Sequence, residues 1–178
     1  MNSMANDDPF VRFSVTTLYH FTDRRNLPSI HELGGLFSFA KLKEKQIASL
    51  HPGGNDWSQD ADKRCGMDQY VHLCFRPTHP MEFLAREAKR IEESIFLQVH
   101  PAVLKWEGVM YSAGVSNKSG VQLHTIDEAK RLIDFEVLFT YTDWRNPSVR
   151  DRLLNAEKCE VLVPNHIPLE FIRNIPNG

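Results

Sequence analysis

The segment CEVLVP, residues 159–164, constrains the fold of this chain more than any other segment. Apart from Glu160 its residues are apolar on both faces of the strand that they predict, and such a run is typical of a strand covered on both sides. Glu160 then lies at the mouth of the strand, or is paired, or has a function, because a charge in a buried strand needs a partner or a chemical role.

Short strand and helix patterns follow one another along the rest of the chain. Apolar, β-branched and aromatic runs predict strands at residues 11–22, 70–75, 95–99, 108–113, 135–141 and 159–164, and a short strand or turn at 35–40. Helical spacing and capping residues predict helices at residues 27–33, 41–50, 82–94, 101–106, 125–133 and 146–154. This order predicts an α+β fold with central mixed or antiparallel β-sheets and peripheral helices.

Length and composition favour a single domain. A chain of 178 residues can bury one good core, and we expect residues 1–10 to form a flexible tail and residues 11–178 a single domain. The hydrophobic content of 42% and the charged content of 25% are those of an ordinary globular protein. No apolar run reaches the roughly 18 residues of a membrane crossing, and the start MNSMANDDPF lacks a signal-peptide pattern. We therefore expect a cytoplasmic protein without a membrane partner.

Cysteines, histidines and net charge indicate no disulfide framework and no metal site. The three cysteines are an odd number without a C-x-x-C pair. The eight histidines form neither H-E-x-x-H nor H-x-x-x-H, so we expect no metal ligands. A formal net charge of −2 does not by itself indicate nucleic-acid binding.

The stretch LYHFTDRRNLPSI, residues 18–30, places two polar side chains at the end of a predicted strand. His20 and Thr22 are two residues apart and therefore face the same way. A helix follows at once, with Asn26 as its candidate N-cap and Leu27 after it. Because a helix N-terminus offers free N–H groups, this arrangement suits a small-molecule pocket. Alternatively, the two side chains are buried and satisfy each other or the backbone.

Two irregular segments could supply further side chains to such a pocket. Residues 51–69 predict a long loop that contains Arg64, and long loops inside compact domains are often functional. Tyr141, Trp144 and Arg145 precede the last helix, where an aromatic ring could stack on a base and an arginine could meet a phosphate. The alternatives are a surface arginine at position 64 and a core tryptophan at position 144.

Taken together, these segments resemble the DarT family of nucleic-acid ADP-ribosyltransferase toxins over residues 18–175. The resemblance depends on H-F-T with N-L-P-S-I, on Arg64 before YVHLCF, on C-E-V-L-V-P, and on the order and separation of these motifs. The family pattern is closer to Y-V-P-F-Y-F where this chain has YVHLCF, so His72 stands in the place of a proline. Cys159 likewise stands where alanine is usual.

The resemblance implies an ADP-ribosyltransferase-like fold and a reaction that consumes NAD, releases nicotinamide and transfers ADP-ribose. It implies that Glu160 binds a ribose hydroxyl, stabilises the developing cation and can take a proton from the acceptor base, and that Arg64 holds a phosphate or helps the acceptor to lose its proton. The chain has no G-x-G-x-x-G motif, so NAD is expected as a consumed substrate and not in a Rossmann site. The NAD-binding residues implied are His20, Thr22, Asn26, Leu27, Tyr70 and Phe75.

The acceptor implied by the resemblance is a base in single-stranded DNA, typically thymidine and in some members guanosine. Single-stranded DNA is a sensible substrate because a base inside a duplex hides the atoms to be modified. The family also implies a toxin with a macrodomain-type antitoxin. RNA or protein acceptors remain open, as does a catalytically silent nucleic-acid-binding module on the same fold. The nucleic-acid contacts expected are Met81, Tyr141, Trp144, Arg145, Arg150 and Arg152.

Overall fold

The computed structural model describes residues 8–47, 51, 63–118, 120–140 and 143–175. Its strands are β1 Leu18–Asp23, β2 Gly35–Phe37, β3 Tyr70–Cys74, β4 Ser94–Val99, β5 Met110–Ser112, β6 Leu123–His124, β7 Glu160–Pro164, β8 His166–Pro168 and β9 Ile172–Arg173. A seven-stranded sheet has the order β6-β5-β7-β3-β1-β4-β9, and all its neighbouring pairs are antiparallel. β2 and β8 form a separate antiparallel pair. The predicted α+β fold with a central sheet is confirmed.

Helices surround the sheet. Those with described bounds are α1 Pro9–Arg12, α2 Leu27–Leu33, α3 Phe39–Glu44, α4 Pro80–Glu87, α5 Ile126–Leu132, α6 Phe135–Phe139 and α7 Pro147–Ala156. Short 3-10 helices occupy Arg24–Asn26, Met67–Gln69, Pro101–Lys105 and Leu169–Phe171. Capping explains several starts: Thr125 and Glu128 form a capping box before α5, and the side chain of Asn146 accepts from Ser148 N–H at the start of α7. Within the described part of the chain, no helix combines the length and apolarity of a membrane crossing.

The largest buried cluster lies on one face of the seven-stranded sheet. Because side chains alternate along a strand, Val161 and Val163 of β7 share a face with Val71 and Leu73 of β3. All four belong to one apolar cluster. Leu162 points to the opposite face and is also fully buried. β7 is therefore covered on both sides, as its continuous apolar run predicts.

The sheet is open between two neighbouring central strands. β1 pairs with β4 over its full length, and β3 pairs with β7 over its full length. β1 and β3 themselves pair at one position, Tyr19 opposite Cys74, and share no further register pair over their described lengths. The end of β1 and the start of β3 therefore diverge, which leaves a gap on the side of β3 that faces away from β7.

The beginning of the chain differs from its prediction. β1 starts at Leu18 and not at Val11, because the preceding residues form α1. The Asp8 side chain accepts from Phe10 N–H at 2.8 Å and starts that helix. The ring of Phe10 lies 5.4 Å from the ring of Phe135. The packed part of the chain thus begins before residue 11, and residues 1–7 lie outside the described residues.

The strand prediction at residues 135–141 is wrong, because Phe135–Phe139 form α6. The side chain of Asp134 accepts from Val137 N–H at 3.1 Å and so caps a helical turn. That turn buries the side chains of Phe135, Val137 and Leu138. Local capping and burial here override the β propensity of FEVLF, which is context-dependent.

Two predicted helices differ in bounds or buried face. Ser38 caps α3 through Lys41 N–H, so the helix predicted at residues 41–50 begins earlier. The helix predicted at residues 82–94 is the shorter α4, which buries Ala85 and leaves Leu84 52% exposed. Lys89, with φ of 55°, interrupts the helical backbone before the later apolar residues are reached.

Candidate active site

Glu160 is the first residue of β7 and is buried. The register places it opposite Cys74 of β3 and Ser112 of β5. Its Oε2 accepts from Ser116 N–H at 3.2 Å and lies 3.4 Å from Nδ1 of His72. The structure therefore satisfies two of the readings open from the sequence: the carboxylate lies at the mouth of the strand and it has partners.

The surroundings of Glu160 keep its carboxylate ionised. Burial by itself favours the neutral acid. The hydrogen bond and charge that His72 supplies in its protonated form, the charge of a protonated His79, and the Ser116 N–H oppose burial and outweigh it, so the pKa of Glu160 lies below its ordinary value. The site thus presents a buried anion at neutral pH, which can stabilise a cation that develops next to it.

His79 approaches the other oxygen of this carboxylate. Its Nδ1 accepts from Met81 N–H at 3.3 Å, which caps α4 and fixes the proton on Nε2. Nε2 lies 3.3 Å from Oε1 of Glu160 without a well-aligned hydrogen bond to it, and the backbone of Lys158 is a second acceptor nearby. Burial, more than the opposing charge of Glu160, lowers the pKa of His79. The ring is therefore a neutral donor that faces Glu160.

His72 occupies the middle of β3, beside the gap. Its Nε2 lies 3.1 Å from the carbonyl oxygen of Met67 and donates to it, since a carbonyl can only accept. Its Nδ1 lies 3.2 Å from Ser116 Oγ and 3.4 Å from Glu160 Oε2. One histidine therefore connects the segment before β3, the loop after β5 and the carboxylate.

His20 spans the gap between β1 and β3. Its Nδ1–H donates to the carbonyl oxygen of His72 at 2.9 Å, in the region where the two strands no longer pair. Burial, partly opposed by that hydrogen bond, lowers the pKa of His20 to about 4. The ring is therefore neutral at physiological pH, with its lone pair on Nε2.

Thr22 and Asn26 are buried together at the entrance to α2. Asn26 Nδ2 donates to Thr22 Oγ1 at 3.1 Å and to the carbonyl oxygen of His51 at 2.9 Å, and Asn26 Oδ1 accepts from His51 N–H at 2.8 Å. The Asn26 side chain thus connects His51 to Thr22 of β1 by hydrogen bonds. It does not cap α2. His20 and Thr22 do not satisfy each other: His20 is satisfied by the backbone of His72, as the alternative reading allowed, and Thr22 by the Asn26 side chain. Leu27 is buried in the main apolar cluster.

The remaining residues expected to bind NAD or act in catalysis differ in their burial and in the side of the sheet on which they lie. Arg64 is exposed, in a helical turn shortly before Met67. Tyr70 is partly buried and shares its strand face with His72. Phe75 is buried, and its ring lies 5.5 Å from the ring of Phe135 on the core side of the sheet. The structure thus gives Phe75 a role in packing.

The residues expected to contact nucleic acid do not form one cluster. Trp144 is 64% exposed, so the alternative of a core tryptophan is wrong. The Arg145 guanidinium lies 5.7 Å from the Trp144 ring centroid. Arg150 is exposed, whereas Arg152 forms ion pairs with Asp134 at 2.6 Å and Glu136 at 3.0 Å.

The helix α7 lies between the surface formed by Trp144 and Arg145 and the catalytic candidate Glu160. The helix has 10 residues, which correspond to about 15 Å, and Trp144 and Arg145 precede it while Glu160 follows it. Met81 lies in the first turn of α4, two residues after His79, and is therefore closer in sequence to the carboxylate. Tyr141 lies outside the described residues.

Sequence reasoning missed three residues of the site: Ser116, His72 as a partner of Glu160, and His79. A histidine inside the apolar run YVHLCF was a usable signal, because buried polar groups need partners. His79 followed by Pro80 is a pattern typical of a helix start, and the helix prediction at residues 82–94 did not use it. Ser116 carries no sequence signal, since its loop is placed by the fold. Among the described residues no group of three His, Cys, Asp or Glu side chains could hold a metal ion.

Comparison with known proteins identifies the class of this fold. Thermus sp. 2.9 DarT in complex with ADP-ribosylated ssDNA superposes with a TM-score of 0.65 at 18% identity, over 89% of this chain and 79% of that chain. The same protein in complex with NAD+ gives a TM-score of 0.58 at 19% identity, over 89% and 80%. Thermosipho africanus DarTG in complex with ADP-ribose gives 0.63 at 18% identity, over 88% of this chain and 42% of that chain. The fold is that of these ADP-ribosyltransferases.

A sequence model of the DarT family, described as ssDNA thymidine ADP-ribosyltransferase, matches residues 19–176. The chain therefore belongs to the DarT family, and the resemblance seen in its motifs is confirmed. It is an NAD-dependent DNA ADP-ribosyltransferase. A search of curated proteins gave no match.

Proposed function

We propose that this enzyme transfers ADP-ribose from NAD to a thymidine base in single-stranded DNA, with Glu160 as its catalytic carboxylate. The observation that carries the proposal is the buried, ionised Glu160 at the start of β7, which accepts from Ser116 N–H and lies between His72 and His79. A fixed anion in a site with little water stabilises positive charge far better than an anion in bulk water does.

The chemistry requires that the bond between nicotinamide and ribose breaks while the ribose carbon becomes cationic. Glu160 accepts a hydrogen bond from a ribose hydroxyl, and its charge stabilises the oxocarbenium-like state. Nicotinamide leaves as a neutral molecule with the electron pair of the broken bond. The nitrogen of the acceptor base then attacks the ribose carbon and loses its proton.

The residues that line the gap between β1 and β3 can form hydrogen bonds with NAD. His20 offers the lone pair of Nε2, because its Nδ1–H is used by the carbonyl oxygen of His72. Thr22, Asn26 and Tyr70 place further polar groups around the same opening. Arg64, on the exposed turn before β3, can hold a phosphate or help the acceptor to lose its proton.

Exposed aromatic and basic side chains support a single-stranded acceptor. Trp144 can stack a base and Arg145 beside it can meet a phosphate. Phe83 on α4 is 53% exposed and lies four residues after His79, which flanks the carboxylate. We therefore infer that the acceptor base enters past α4, and that the strand continues toward the start of α7.

Membership of this family also supports a toxin neutralised by a macrodomain that removes ADP-ribose. The Thermosipho africanus DarTG chain is longer than the part that aligns with this chain, which is 42% of it. Co-expression with such a macrodomain should relieve growth inhibition caused by this enzyme, and growth inhibition that persists with an active macrodomain would contradict this part of the proposal.

The test of the acceptor uses NAD labelled in its adenylate part, with DNA oligonucleotides, RNA oligonucleotides and a protein extract as alternatives. We expect label in single-stranded DNA, in oligonucleotides that contain thymidine, and little in the matching duplex. Glu160→Gln should abolish the label. Label that resists nuclease and is lost with protease would instead identify a protein acceptor, and label in RNA alone would replace DNA in the proposal.

A further inference from the structure

Two imidazoles from different elements flank the catalytic carboxylate. His72 of β3 approaches Oε2 of Glu160 at 3.4 Å, and His79 before α4 approaches Oε1 at 3.3 Å. The side chain of Glu160 is thus placed between two histidines that the sequence separates by only seven positions. Neither histidine was among the site residues implied by the family resemblance.

The two histidines present different nitrogens to the carboxylate. His79 uses Nδ1 to accept from Met81 N–H, so it turns a protonated Nε2 toward Glu160. His72 uses Nε2–H to donate to the carbonyl oxygen of Met67, so in its neutral form it turns the basic Nδ1 toward Glu160. A basic nitrogen next to the carboxylate can receive a proton from it, whereas a protonated one can only donate.

We propose that His72 is a positioning residue that receives, through Glu160, the proton that the acceptor base loses. The inference rests on the proposed function and deepens it. As the base nitrogen bonds to the ribose carbon, its proton passes to Glu160 Oε2, and nicotinamide leaves with the electron pair of its broken bond. The proton then moves to His72 Nδ1, which leaves an anionic Glu160 beside a cationic His72 that later returns the proton to water.

The geometry around Nδ1 accommodates both protonation states of His72. The Ser116 hydroxyl, 3.2 Å away, donates to a neutral Nδ1 and can rotate to accept when Nδ1 is protonated. The Ser116 N–H holds Oε2 in either case. The separation of 3.4 Å must shorten for transfer, and hydrogen bonds used in catalysis often tighten when substrate binds.

The proposal predicts that transfer becomes slower in acid. A cationic His72 cannot receive the proton, so the rate falls tenfold per pH unit below the pH at which His72 is half protonated. Other titratable groups around this pair are His20 from β1, His79 and Glu82 near α4, Cys74 from β3, and Cys159 before β7. Burial lowers the pKa values of both other histidines and raises those of both thiols.

The experiment is the pH dependence of kcat for ADP-ribose transfer to a thymidine-containing oligonucleotide at saturating NAD. Wild type should show an acidic limb. His72→Gln cannot titrate, so it should lose that limb and have a plateau about 100-fold lower, as for a positioned acid or base. In His72→Ala, added imidazole should restore part of the rate and of the pH dependence.

His100→Gln is the matched control. His100 precedes a proline and caps a short helix through Nδ1, which accepts from Ala102 N–H at 3.1 Å, as His79 does for α4. It makes no contact with Glu160 among the described contacts. The rate and the acidic limb of this variant should equal those of wild type. Thermal melts of all variants show whether each is folded.

The outcomes separate the inference from the proposed function. A wild-type enzyme that modifies no DNA at any pH would overturn the proposed function itself. Two outcomes with an active wild type would overturn the role of His72 alone. One is an unchanged acidic limb in His72→Gln, and the other is a folded His72→Ala whose rate imidazole does not restore. If His72→Gln is slower than wild type but keeps the acidic limb of the wild-type pH profile, His72 only supports the structure of the site and the proposed proton transfer to it is wrong.

Discussion

Glu160 illustrates how one side chain can be set for chemistry by its neighbours. A buried carboxylate alone would hold its proton, yet the Ser116 N–H and the protonated forms of His72 and His79 lower its pKa. These donors come from β3, from the start of α4 and from the loop after β5. The charge state of the site is therefore a product of tertiary structure, although the charged residue itself is conspicuous in the sequence.

His20 should contribute to NAD binding without contributing to the pH profile. His20→Asn removes the Nε2 lone pair and should raise KM for NAD about tenfold, the effect of roughly one hydrogen bond. Its pKa of about 4 keeps the ring neutral from pH 5 to 8, so the acidic limb should be retained. Steady-state kinetics at several pH values measure both effects, and loss of the limb in His20→Asn would contradict this assignment.

The low pKa of His20 also has a consequence for stability. The unfolded chain takes up this proton near pH 6.5, whereas the folded protein takes it up at about pH 4. The stabilisation associated with a neutral His20 is therefore fully present above pH 6.5 and decreases as the pH falls toward 4. Denaturant melts of wild type and His20→Asn across this range should converge in acid.

Asp23 is a structural carboxylate at the end of β1, and it is fully buried. It accepts from the backbone and guanidinium of Arg25 and from Glu92 N–H at 2.8 Å. Asp23→Asn should lower the free energy of unfolding by about 3 kcal/mol, since it leaves buried donors poorly matched. Chemical denaturation measures the change. Glu93→Gln, in an exposed pair with Arg24, should cost less than about 0.5 kcal/mol.

Hydrogen bonds from Arg25, against the opposing effect of burial, hold the pKa of Asp23 below its ordinary value. The stability that Asp23 provides is therefore present above about pH 4, the ordinary range of an aspartate, and is lost as the pH falls further. A wild-type protein whose acid unfolding matches that of Asp23→Asn would contradict this account.

At the scale of elements, apolar strands and capping signals were the predictable part. The runs at 70–75, 95–99 and 159–164 are strands, and the capping box at Thr125 starts α5 as its pattern indicates. α6 was not predictable from propensity, since Phe and Val favour strands and only the fold supplies its burial. The buried face of α4 was also misread, because its pattern continued across Lys89, where the helix has already ended.

The surface before α7 should affect affinity for DNA and leave the chemistry unchanged. Trp144→Ala should raise KM for the oligonucleotide by at least about fivefold, because stacking on a base contributes about 1 to 3 kcal/mol. kcat should change little, since α7, which is about 15 Å long, lies between Trp144 and Glu160 in the chain. Saturation kinetics with a fixed oligonucleotide separate the two parameters.

Arg152→Ala is the informative comparison for this surface. Its guanidinium is used by Asp134 and Glu136, and its pKa is raised by those contacts. We therefore expect a small change in stability and an unchanged KM for DNA. A KM that rises more for Arg152→Ala than for Trp144→Ala would show that the DNA path has been misplaced.

At the scale of the whole molecule, net charge argues for short contacts with the nucleic acid. With a formal net charge of −2, binding cannot depend on a broad basic surface. If Arg145 and Arg150 supply the main phosphate contacts, the logarithm of affinity should fall with the logarithm of salt with a slope of about −1.4, from two contacts on a single strand. Arg145→Ala should reduce that slope by about half. Binding measured by fluorescence anisotropy from low to high salt tests this, and a slope steeper than about −4 would contradict it.

The fold class and the identity of Glu160 followed from the sequence because both depend on local patterns. The complete site did not, because it joins residues 20, 72, 79, 116 and 160 from five separate parts of the chain. Its defining feature, the gap between β1 and β3, is a property of strand pairing and not of either strand alone. Such non-local geometry carries no signal in single-sequence periodicity.

The most direct test of the central claim is the intact mass of a single-stranded oligonucleotide with one thymidine after incubation with NAD and the enzyme. Wild type should add the mass of one ADP-ribose and release one nicotinamide per modified strand. Glu160→Gln, which preserves the shape of the side chain and removes its charge, should react at least about 1,000-fold more slowly. Equal modification by folded Glu160→Gln, or none by wild type, would contradict the account.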